Sequence, residues 1–142
     1  MVNAQVGVED VEFDTVYCRN LMIKGKGSII IFDEDTNPVG HFGVDHDLGS
    51  VVLRMFDFSG DFHTLAYLGP NEKNGEMMFT LDSKSKPDKR RATMMINDNG
   101  GGFDGRNKMG EVVVLSAIRV DGDGFVGTYD KFGYAKEGLG VK

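Results

Sequence analysis

Gly49-Ser-Val-Val-Leu53 opens the stretch that decides the fold, with an apolar run from Val51 to Phe56, a reversal at Asp57 to Gly60, and a second run from Phe62 to Leu68. The polar segment Gly69-Pro-Asn-Glu-Lys-Asn-Gly75 then leads to another glycine and another apolar run. Short β-branched and aromatic runs bounded by Asp, Asn and Gly read as strands joined by tight turns. Working outward, the same opening recurs at Gly27-Ser-Ile-Ile-Ile31, Gly75-Glu-Met-Met-Phe79 and Gly110-Glu-Val-Val-Val114. Four similar hairpin-like units therefore follow one another from residue 27, at a spacing typical of repeat architectures. The fourth is delayed by the glycine-rich segment Gly100 to Met109, which reads as an inserted loop.

Inside the units, His41 to Val44 and Asp45 to Gly49 complete the first. Unit three reads as Met77 to Leu81, a polar turn over Asp82 to Asp88, and Arg91 to Ile96; the last strands are Val112 to Val120 and Phe125 to Tyr129. Val8 to Phe13 and Val16 to Ile23 suggest one or two further strands before the units. No stretch repeats apolar residues at helical spacing without glycine interruption, so at most one short helical turn is expected. The expectation is a single all-β domain over residues 1–142, with about ten to twelve short strands in successive antiparallel hairpins, forming a sandwich, barrel or prism with little or no helix. The ends, Met1 to Gln5 and Lys136 to Lys142, read as the least ordered segments, and Gly100 to Met109 as the most mobile interior one.

Composition agrees with this reading. The chain has 20 glycines among 142 residues, 3 prolines and no tryptophan, with 40% hydrophobic and 27% charged residues. Glycine is thus about twice its average usage of about 7%, as sharp reversals require. The net charge of −6 disfavours nucleic acid and anionic membranes as partners. Cys18 is the only cysteine, so no intrachain disulfide and no thiolate zinc site can form. The first twenty residues show no signal-peptide pattern, and the longest apolar runs fall far short of a bilayer span of about 20 residues. A cytoplasmic location is the resulting expectation.

Residues 27 to 135 resemble uncharacterised, repeat-built all-β proteins of bacteria and environmental gene pools, whose unit follows G-x-V-x-V-x-D-x-x-G-K-x-x-A-x-L-G-V-x-x-x-G. The likeness is carried by His41-Phe-Gly-Val-Asp45, by Ser50 to Gly60 with Asp57 and Gly60 at the turn, and by the ending Gly127-Thr-Tyr-Asp-Lys-Phe-Gly-Tyr134. It weakens at Ser83 to Lys89 and at Gly100 to Met109. The resemblance implies a β-rich fold and brings no activity or site residue with it.

Chemical constellations reduce largely to structure. Asp33-Glu-Asp-Thr-Asn37 spaces its oxygens as calcium loops do, but it lacks the glycine at position six, and Val44 stands where the closing glutamate belongs. It is read, with Asp45/Asp47, Asn97 to Asn99 and Asp121/Asp123, as turn chemistry. His41, His46 and His63 have no diagnostic metal spacing, so no metal site is assigned. Lys84, Lys86, Lys89, Arg90 and Arg91 form a basic run without interleaved aromatics, which reads as a solvated turn protecting a sheet edge. Gly100-Gly-Gly-Phe-Asp-Gly105 lacks the residues of a phosphate loop, Met55, Met77, Met78, Met94 and Met95 read as core filling, and no nucleophile has a base partner. No catalytic residue and no cofactor follow.

Ile29-Ile30-Ile31 and Val112 to Leu115 are apolar on both faces of their strands. A thin sheet cannot leave both faces wet, so a second layer or another copy of the chain is expected to cover one. The leading expectation is a non-enzymatic, self-associating structural or interaction module, a homo-oligomer with a trimer favoured. The alternative is a small-molecule binding domain with a pocket beside Gly100 to Met109, lined by Phe103, Tyr129 and Tyr134.

Overall fold

A computed structural model describes residues 15–25, 27–58 and 62–140. The structure is all-β, and no helix occurs among the described residues. Ten strands run in chain order: β1 (Ser28–Phe32), β2 (Pro38–Val44), β3 (Val51–Asp57), β4 (His63–Pro70), β5 (Met77–Ser83), β6 (Lys86–Asn97), β7 (Gly100–Arg106), β8 (Val112–Ile118), β9 (Gly124–Tyr129) and β10 (Ala135–Gly140). Each pairs antiparallel with its sequence neighbour, and together they form one ten-stranded sheet in the order β1 to β10. The sheet does not close into a barrel, and substantial strand contacts are confined to sequence neighbours.

Several expectations are corrected. Gly100–Arg106 is a regular strand, β7, so the glycine-rich segment is half of a hairpin rather than a loop. Its glycines pair with β6 over Ala92 to Asn97 and tolerate extension because Phe103 and Asp104 supply the side chains between them. The turn placed at Asp82 to Asp88 shrinks to Lys84-Ser85, and much of the basic run lies on β6. Ala135–Gly140 near the C-terminus is paired as β10. Val16 to Ile23 forms no strand, and Val8 to Phe13 and Met1 to Gln5 lie outside the described residues.

The turns explain the Asp and Asn pattern. Asp33 Oδ1 accepts from the Asp35 and Asn37 amides, and Asp45 Oδ1 from those of Asp47 and Leu48. Asn97, Asn107 and Asp130 do the same for the amides two and more residues on. These side chains replace ladder partners that the reversing backbone loses. The turns close at residues of positive φ, Gly49 at 65° for one, where a Cβ is disfavoured. In the β1–β2 turn Thr36 occupies that conformation instead, at φ 64°.

Register aligns the side chains into rows that cross the sheet. On one face the central row is Ile29, Phe42, Leu53, Leu68, Phe79, Met94, Phe103, Ser116 and Val126. A flanking row alternates large with small as far as Ala92: Ile31, Gly40, Met55, Ala66, Leu81, Ala92, then Gly105, Val114 and Thr128. The opposite face carries Ile30, His41, Arg54, Tyr67, Thr80, Thr93, Asp104, Leu115 and Gly127 in one row. Because side chains alternate faces along a strand, the sheet has one apolar face and one mixed face.

Candidate functional site

The two faces differ in how far the chain covers them itself. On the mixed face, the Tyr67 ring lies over Gly69, so close that a Cβ there would stand 2.6 Å from its hydroxyl and 2.8 Å from Val52 Cγ1. The Tyr67 hydroxyl donates to the Pro70 carbonyl at 2.7 Å, and the Arg54 guanidinium stacks 5.4 Å from the ring centroid. Burial of the phenol pushes its pKa up from the ordinary value. Arg54 in turn pairs with Asp45 at 2.6 Å. Phe125 similarly spans Gly127 and Gly138, with Arg119 stacked 5.0 Å away. Arg91 pairs with Asp82 and Arg106 with Asp104. Val52, only 1% exposed, belongs to this face.

The apolar face has no such cover. Its rows hold no charged side chain from β1 to β9, yet Ile31, Phe42, Met55 and Met94 are each more than half exposed. Leu53, Leu68, Met77, Leu81, Ile96, Phe103 and Val126 are exposed as well. A hollow of about 510 Å³ lies open on it between Leu68, Met77, Phe79, Met94, Ile96 and Phe103. Nine strands spaced about 4.8 Å apart, each with an apolar stretch of about 17 Å, give a face of roughly 730 Å². The largest apolar patch on an ordinary monomer is about 300–600 Å², whereas a standard interface buries about 800 Å² per partner.

Charged residues gather at one end of the apolar face, where Lys84 Nζ stands 3.1 Å and His63 Nε2 3.9 Å from Asp57 carboxylate oxygens. This end is a rim. The histidines do not converge: His41 lies in the mixed row beside Arg54, His46 in the β2–β3 turn, and His63 at the rim. No group of three metal-ligating side chains occurs among the described residues. The carboxylates read as turn formers are engaged by backbone amides, which also hold Asp33 and Asp45 below the usual carboxylate range, chiefly through the Asn37 and Leu48 amides respectively.

The residues expected to line a ligand pocket are separated. Phe103 is on the apolar face, Tyr129 lies on the opposite face beside Asp104 and Leu115, and Tyr134 is in the β9–β10 turn, 71% exposed. A different hollow, of about 430 Å³, lies on the mixed face between Arg54, Tyr67, Thr80, Asp82 and Arg91. Thr80 Oγ1 is buried beneath it without a hydrogen-bond partner. Sequence reasoning missed both the continuous apolar face and this hollow, because each is assembled across strands. Taking every second residue of each strand, once the turns are aligned, is the signal that finds the face. Compared with protein-family models, curated proteins and solved structures, the chain matches none of them significantly.

Proposed function

We propose that this chain is a non-enzymatic structural module that assembles with copies of itself through the apolar face, as a homotrimer. The observation that carries the reading is the contrast between the faces: one partly covered by its own rings and ion pairs, the other uncharged and exposed across nine strands. Burial is worth about 25 cal/mol per Å² of apolar surface, so leaving such a face in water is strongly unfavourable.

Three-fold closure fits the dimensions. With an apolar stretch of about 17 Å as the side of an equilateral prism, the axis lies about 5 Å from each sheet, half the roughly 10 Å at which sheets pack. Leucine, methionine and phenylalanine from the central row reach that far, so three copies fill the axis. The flanking row meets its neighbour at the narrow corners, where the small residues Gly40, Ala66, Ala92 and Gly105 leave room.

The test is Leu68→Glu, which places a carboxylate in the middle of the central row. Loss of the trimer in sedimentation equilibrium, with either a monomer or an unfolded chain in its place, is the expected result. An unchanged mass distribution contradicts the reading. A second reading, binding of a small polar ligand, is favoured by the hollow over Thr80; thermal shifts with monosaccharides and dicarboxylates that vanish in Thr80→Val would support it.

A further inference from the structure

Strand reversal sorts the turns onto two edges. The β1–β2, β3–β4, β5–β6, β7–β8 and β9–β10 turns lie along one edge, and the β2–β3, β4–β5, β6–β7 and β8–β9 turns along the other. From β4 onward the two edges carry opposite charge. The first presents Lys89 beside the β5–β6 turn, Lys108 in the β7–β8 turn, and Lys131 with Lys136 at the β9–β10 turn; besides Asp82, which pairs with Arg91, its described carboxylates there include Glu111 and Asp130. The second presents Glu72 and Glu76, then Asp98, then Asp121 and Asp123, against Lys73 and Arg119.

Lys89, Lys108, Lys131, Glu72, Asp98 and Asp121 are all exposed, and none joins an ion pair within the chain among the described residues. Elsewhere in the molecule opposite charges that lie near each other do pair, as Asp45 with Arg54 and Asp82 with Arg91. These six divide between opposite edges of one sheet, the lysines on one and the carboxylates on the other.

We infer that the basic edge of one copy docks on the acidic edge of the next, so that each corner of the trimer is a heterologous, charge-matched seam. This rests on the assembly reading above. Rotation about a three-fold axis involves no translation along it, so the turns of one edge fall between those of the neighbouring edge, offset by about one strand spacing of 4.8 Å. Lys108 then sits between Asp98 and Asp121, and Lys131 next to Asp121. A two-fold arrangement that lays like edge over like edge is disfavoured by the same charges. At the other end the match fails, since Asp33, Glu34 and Asp35 on the first edge approach Asp45 and Asp47 on the second. The seam therefore closes from β10 and is loosest at β1.

The experiment reverses one edge at a time in the full chain: Lys108→Glu with Lys131→Glu, and separately Asp98→Lys with Asp121→Lys, with circular dichroism to confirm the sheet. Each pair is expected to raise the concentration at which the trimer dissociates by about tenfold at low salt, an effect that shrinks toward 0.5 M NaCl, and the four changes together are expected to restore it. A trimer whose dissociation is indifferent to either reversal overturns the charged seam while leaving the apolar assembly standing. A monomeric wild-type chain overturns both.

Discussion

Thr36 and Gly49 occupy the same backbone conformation in corresponding turns, at φ 64° and 65°, and only one of them is suited to it. A β-branched residue there is strained, whereas Asn tolerates the left-handed region. Thr36→Asn is therefore expected to stabilise the fold by about 1 kcal/mol, seen as a rise of roughly 2–4 °C in melting temperature. Gly49→Ala has open space for its methyl group, so its cost is conformational alone. A loss of about 1–2 kcal/mol is expected, and no loss would show that the turn relaxes out of positive φ. Asp45 adds a pH signature: its pKa is lowered in the fold, chiefly by the Leu48 amide, so its contribution is present above the ordinary carboxylate pKa and is lost as pH falls through the lowered folded value. Asp45→Asn keeps a turn of the kind that Asn71 and Asn107 form, but loses the Arg54 pair, and acid unfolding of the variant should be shallower below pH 4. An unaltered acid limb would mean that Asp45 is not among the groups whose protonation unfolds the chain. These residues were legible in sequence, because Asp, Asn and Gly act through local hydrogen bonds and φ preference, which need no knowledge of the rest of the fold.

At the scale of the strand, what mattered was pairing. The strands β3 through β5 could be read from Val51 to Leu81 alone, as apolar runs bounded by turns. The glycines of β7 could not, because a strand of Gly100-Gly-Gly has no periodicity of its own and is held by β6 on one side and β8 on the other. Likewise, the Tyr67 ring covers Gly69 and the Phe125 ring covers Gly127, each two residues on along its own strand, and this explains Gly69, which the sequence offered only as a turn. Gly127→Val is a direct check: its Cβ would meet the Phe125 ring at 2.5 Å. Displacing the ring costs about 1–3 kcal/mol by overpacking, measurable as a fall in denaturant midpoint. Gly105→Ala on the apolar face meets nothing closer than 3.8 Å within the chain. Its effect is expected on the trimer's dissociation alone, and an equal loss of stability in both variants would contradict the division between a sealed and an open face.

The described residues form a single layer, and a layer needs something against its apolar side. The sequence pointed to a missing second layer through Ile29 to Ile31 and Val112 to Leu115, but it placed the burden on strands apolar on both faces. The register shows that the larger debt lies in one continuous face drawn from nine strands, since a row is a property of the assembled sheet and of no single segment. For the same reason the separation of Phe103, Tyr129 and Tyr134 was invisible before their faces were known. The account stands or falls on whether copies of the chain cover that face. Absolute mass by light scattering on a sizing column, from the lowest detectable concentration upward, tests it most directly. The account predicts three times the chain mass across the range; a folded, β-rich monomer at every concentration would contradict it.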